Sequence, residues 1–132
     1  MAGESILVVD DNPANMKLLS FMLGSWGYHV RAAKDAHQAQ SILESFLPQL
    51  ILMDIQLPGI DGLELTRRLK ADARTREIPI VAVSAYAMKG DEQKALAAGC
   101  SGYITKPIDT RSLPAVVAAY LDGTAGTRTP PP

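Results

Sequence analysis

Four short apolar runs in this chain each end on a polar side chain able to do chemistry. Leu7-Val8-Val9 runs into Asp10-Asp11, Leu52-Met53 into Asp54, Val81-Ala82-Val83 into Ser84, and Tyr103-Ile104-Thr105 into Lys106-Pro107. If the runs lie side by side, three carboxylates, a hydroxyl and an ammonium share one rim. Crowded carboxylates repel one another and resist ionising together unless a cation compensates. A divalent ion is the natural remedy. An all-oxygen site of a few carboxylates, a backbone carbonyl and waters suits Mg²⁺, which keeps part of its hydration shell for a phosphate ligand.

Each residue has a plainer reading when taken alone. Asp10 and Asp11 precede Asn12-Pro13 and serve equally well as caps of a first helix. Ser84 reads as a cap or turn residue and Lys106 as a solvated strand-end lysine. Asp54 is harder to dismiss, because no helix start follows it immediately and a carboxylate ending a buried strand is costly without a partner or a task. Capping alone does not explain four strand ends that all carry such groups.

The elements that must position these residues follow from the alternation of short Val/Ile/Leu runs with stretches of helical period, the pattern of βα units around a parallel sheet. Strands are expected at Ile6–Val9, Tyr28–Ala32, Leu50–Met53, Pro79–Val83 and Gly102–Ile104. Asn12 and Pro13 supply an N-cap and first-turn proline for a helix with Met16, Leu19 and Leu23 on one face. Asp35 caps a second, with Ala39, Ile42, Leu43 and Phe46 at helical spacing. A turn-rich loop, Leu57-Pro58-Gly59-Ile60-Asp61-Gly62, leads to a third helix over 63–71; a fourth spans 90–98 and a fifth starts near Asp109. Residues 123–132, GTAGTRTPPP, have no periodicity and are expected to be a disordered tail behind one domain over 1–122.

Composition excludes several classes. At about 150 residues per domain, 132 residues make one domain. Thirteen Lys plus Arg against fourteen Asp plus Glu leave a net charge of -1, so no overall field draws the chain to nucleic acid or anionic lipid. Its apolar runs are far too short to span a bilayer. A lone Cys100, which cannot form an internal disulfide and reads as a packing residue, and a start without signal-peptide character point to the cytoplasm. His29 and His37 have no evident carboxylate partner and are given no role.

With LVVDDN, ILMDIQLPGIDG, VAVSA and YITKP in that order, the chain resembles the receiver domain of two-component response regulators from residue 5 to about 122. The resemblance implies a doubly wound, flavodoxin-like α/β fold with five parallel strands in the order 2-1-3-4-5 and five helices. It implies Asp54 as phosphoacceptor, Asp10, Asp11, Asp54 and the Gln56 carbonyl as Mg²⁺ ligands, and Lys106 as a second cation. Ser84 and Tyr103 match the switch pair, and Pro107 the proline whose preceding bond is usually cis. Gln56 and Tyr86, two residues after Asp54 and Ser84, match positions that control access of water to the phosphoryl group. The implied protein is a phosphorylation-operated signalling switch, not an enzyme acting on other molecules. A histidine kinase or histidine phosphotransfer protein would dock near the first helix. A downstream protein, or a second copy of the chain, would bind the face of the fourth helix, fifth strand and fifth helix.

Several alternatives compete with that reading. A receiver excised from a hybrid sensor kinase, acting as a phosphorelay intermediate, would carry the same motifs. A small aspartyl-nucleophile phosphohydrolase calls for Asp-x-Asp on the first strand, whereas Asp10 and Asp11 are adjacent. A flavodoxin-like cofactor binder calls for a Gly/Ser/Thr-rich phosphate loop where Asp11-Asn12-Pro13-Ala14 stands. A pseudo-receiver would be expected to lack some of the five site residues, all of which are present.

Overall fold

The computed structural model describes residues 4–57, 59–84, 90–105 and 111–122. Elements alternate as β1 (Ser5–Val9), α1 (Pro13–Ser25), β2 (His29–Ala33), α2 (Ala36–Leu43), β3 (Leu50–Asp54), α3 (Gly62–Ala71), β4 (Ile80–Ser84), α4 (Asp91–Ala98), β5 (Gly102–Thr105) and α5 (Leu113–Asp122). The strands form one parallel sheet, as the alternating pattern implied, in the order β2-β1-β3-β4-β5, the doubly wound arrangement that the family resemblance implied.

Helices cover both faces, so the central strands are apolar up to their last residue instead of alternating with polar residues. Ile6, Val8, Leu50, Leu52, Val81 and Val83 pack with Leu19 and Leu23 of α1 and Leu113, Val117 and Tyr120 of α5. Their neighbours Leu7, Val9, Ile51, Met53, Ile80 and Ala82 turn to the other face, against α2, α3 and Ala95 of α4. Every residue of β3 and β4 is buried, Asp54 and Ser84 included.

Local signals set the helix starts. Asn12 accepts hydrogen bonds from the N–H groups of Ala14 (2.9 Å) and Asn15 (3.1 Å), with Pro13 in the first turn. Asp35 accepts from Gln38 N–H (2.8 Å) and Asp61 from Glu64 N–H (2.9 Å).

Several boundaries differ from the sequence expectation by a residue or more, and four of the differences have a clear cause. β2 begins at His29, because Tyr28 N–H is held by the Leu23 carbonyl at the end of α1 (3.2 Å). β4 runs from Ile80 to Ser84, one residue later than Pro79–Val83, since proline has no N–H to give the ladder. α2 ends at Leu43, so Phe46 leaves the helix; half-buried against the core, it lies 5.2 Å beneath the Arg31 guanidinium. α5 begins at Leu113, not near Asp109: Arg111 and Ser112 form a turn, and Pro114 fits the first helical turn, where an N–H is not required. Asp109 and the tail 123–132 lie outside the described residues. Among the described residues no helix is long and apolar enough to cross a membrane.

Candidate functional site

The carboxyl ends of β1, β3 and β4 meet at one edge of the sheet. Parallel pairing places Val9 beside Met53, Asp54 beside Val83 and Ser84 beside Thr105. Asp10 follows β1 and is anchored by its own N–H, which donates to the Ala33 carbonyl (3.0 Å). Its carboxylate accepts the Asn12 N–H (2.8 Å), which shapes the turn into α1. The cap of α1 is therefore Asn12, and Asp11 is left exposed at the rim.

The three acids are gathered as their positions suggested. One carboxylate oxygen from each of Asp10, Asp11 and Asp54 lies within 4.8 Å of the others. Two are deeply placed, Asp10 being 2% and Asp54 3% exposed. Burying charge this way is costly unless hydrogen bonds or opposite charge answer it. The donor set is all oxygen, carries up to three negative charges and has one exposed member open to solvent. Those properties fit a hard divalent cation that retains water, and magnesium in particular.

Asp54 is positioned by the loop behind it. Ile55 N–H donates to the Val83 carbonyl (3.0 Å), and the Ile55 carbonyl accepts from Leu57 (3.1 Å) and Gly62 (2.9 Å), folding the loop back on itself. Gly59 turns the loop with φ at +74°, which favours glycine. Gly62 packs so tightly that a Cβ there would collide with the Asp54 carbonyl oxygen and lie 2.9 Å from Ile55 Cα. The buried Thr66 hydroxyl donates to the Gly62 carbonyl (2.8 Å) and fixes this approach. Neither Gly62 nor Thr66 stands out as a site residue in the sequence, although the turn-rich run 57–62 marks the loop they hold.

Gln56 connects two parts of the rim. Its N–H donates to Asp54 Oδ1 (2.9 Å), and its exposed carboxamide reaches the Ser84 hydroxyl, Nε2 lying 3.2 Å and Oε1 3.4 Å from Oγ. Ser84 is wholly buried. Tyr103 is half-buried on β5, packed against the α2–α3–α4 side of the core. Cys100 is buried, its Sγ 3.9 Å from Thr66 Oγ1, and burial pushes its thiol pKa up, as suits a packing residue. Lys106, Pro107 and Tyr86 lie outside the described residues.

Comparison with known proteins gives this geometry a family context. The response regulator receiver domain family matches residues 6–118. The polar-differentiation response regulator DivK of Brucella anthropi is 42% identical over 118 residues, covering 89% of this chain and 96% of its own. Among solved structures, the receiver domain of a sensor histidine kinase from Pseudomonas aeruginosa, with a magnesium ion coordinated in its active site cleft, is 37% identical. It superposes with a TM-score of 0.83 over 92% of this chain and 99% of its own. A response regulator structure from Chloroflexus aurantiacus gives a TM-score of 0.86 at 29% identity, covering 91% and 98% of the two chains.

Proposed function

The chain belongs to the response regulator receiver family of two-component signalling, and on that premise we propose that Asp54 is its phosphoacceptor. The observation that carries this reading is the gathering of Asp10, Asp11 and Asp54 within 4.8 Å at the end of a buried strand. An Asp54 carboxylate oxygen attacks the phosphorus of a phosphohistidine on a kinase or phosphotransfer protein. The new P–O bond forms as the P–N bond breaks, and the electron pair leaves with the imidazole, which gives an acyl phosphate.

Asp10, Asp11, Asp54 and the Gln56 carbonyl would hold magnesium, with Asp10, turned toward the Asn12 N–H, acting mainly through water. When bound, the ion offsets the negative charge of the phosphoryl oxygens. Lys106, which follows β5 in the sequence and matches the family's lysine, would supply a further positive charge. The Ser84 hydroxyl donates to a phosphoryl oxygen, and Tyr103 moves toward the space that Ser84 leaves. Pro107 matches the family's proline whose preceding bond is usually cis, and Gln56 and Tyr86 match positions that would limit the access of water to the acyl phosphate.

The phosphodonor docks beside the rim at α1, where Leu18 and Phe21 are 49% and 76% exposed. The output partner, a protein or a second copy of the chain, binds the α4–β5–α5 face in the cytoplasm. Leu96 is exposed there and Ile104 is half-buried. A second reading, a receiver acting as a phosphorelay intermediate within a hybrid kinase, is favoured by the 37% identity to a sensor kinase receiver. An aspartyl phosphohydrolase is set aside by the family and by the adjacent acids that follow β1.

The test uses magnesium and a small acyl phosphate donor, read by intact mass. Wild type should gain the mass of a phosphoryl group, gain none when a chelator is present from the start, and gain none as Asp54→Asn. Equal labelling of Asp54→Asn would move the phosphoacceptor elsewhere.

A further inference from the structure

Gln56 holds the phosphoacceptor and the buried hydroxyl of the neighbouring strand at the same time. Its main chain donates to Asp54 Oδ1 at 2.9 Å, while its carboxamide engages Ser84 Oγ, 28 residues away in sequence. Either end of a carboxamide suits a hydroxyl, which both donates and accepts, so the contact survives rotation of the amide. We propose that Gln56 is a positioning residue that latches Ser84 in the unphosphorylated state, so that breaking the Gln56–Ser84 hydrogen bond sets part of the cost of switching.

The inference rests on Asp54 as phosphoacceptor and Ser84 as its switch hydroxyl. A phosphoryl group on Asp54 offers charged oxygens, which bind a hydroxyl about twice as strongly as a neutral amide does. Ser84 exchanges one partner for the other. As its Oγ moves toward Asp54, the contact with the carboxamide, already 3.2 Å, passes beyond hydrogen-bond length. The population able to grip the phosphoryl group is reduced by the strength of the latch, and the apparent affinity for a phosphoryl mimic falls in proportion. For a neutral hydrogen bond of ordinary net strength, the factor is about fivefold.

The probe is beryllofluoride, which has the charge and shape of a phosphoryl group and does not hydrolyse. It is titrated with magnesium into the full chain and followed by amide chemical shifts. Gln56→Ala should bind about fivefold more tightly than wild type. Gln56→Leu, which keeps the bulk of the side chain and loses the hydrogen bond, should match it and thereby separate the latch from shielding. In a Ser84→Ala background, Gln56→Ala should change nothing, whereas a merely structural effect on the loop would persist there. Unchanged or weaker binding by Gln56→Ala, or an effect that persists without Ser84, overturns the latch and leaves the phosphoacceptor reading standing. Failure of wild type to bind any better than Asp54→Asn overturns the phosphoacceptor reading itself.

Discussion

Asp11 differs from its two neighbours in the rim because its carboxylate is exposed while those of Asp10 and Asp54 are buried. Removing it leaves core packing and the α1 cap intact, since Asn12 fills the cap. Asp11→Ala should therefore keep the wild-type thermal midpoint and lose magnesium affinity by about tenfold or more, as loss of a ligand demands. Isothermal titration checks this, and unchanged affinity would place the ion elsewhere. The acids can be recognised in the sequence because each directly follows an apolar run, and a parallel sheet brings all such ends to one edge. The Gln56–Ser84 contact cannot be recognised that way. It joins two side chains across a loop whose path depends on Gly59, Gly62 and Thr66, and no periodicity encodes a loop path.

The β3–α3 connection is the element that sets Asp54, the proposed phosphoacceptor, in place. Glycine in a helix normally costs up to about 1 kcal/mol relative to alanine, so propensity alone would make Gly62→Ala stabilising. The close backbone opposes this, because Asp54 and Ile55 main-chain atoms cannot move aside as a flexible side chain would. Crowding of that kind costs about 1–3 kcal/mol, so the net effect should be destabilising by about 1–2 kcal/mol. A lowered urea midpoint, together with slower labelling of Asp54, is expected; a raised midpoint would show that the loop yields freely. Helix starts were readable wherever a short polar side chain precedes the helix, as at Asn12 and Asp35. The C-terminal end of α2 and the start of α5 were not, since Phe46 keeps helical spacing while packing from outside the helix. Asp109 resembles a cap, yet the helix waits until Leu113.

Across the whole molecule, the doubly wound sheet separates two surfaces. α1, with its exposed Leu18 and Phe21, stands beside Asp11 at the edge where β1 and β3 end. Among the described residues, β5 forms the far margin of the sheet and pairs with β4, the strand that carries Ser84. On the proposed switch, a change at Ser84 would reach Tyr103 through one strand pairing. The parallel βα architecture follows from the alternation of apolar runs with helical stretches and the strand order from the family resemblance, whereas the proposed coupling between the surfaces would depend on packing around Ser84. The most direct test of a phosphoryl-operated switch is amide hydrogen exchange with saturating magnesium and beryllofluoride, compared between wild type and Asp54→Asn. Exchange in wild type should change at residues 54–57 and also across 90–105 and 111–122, with Asp54→Asn silent throughout. A response confined to 54–57 while the site is fully occupied would contradict the switch and leave a phosphate relay or sink.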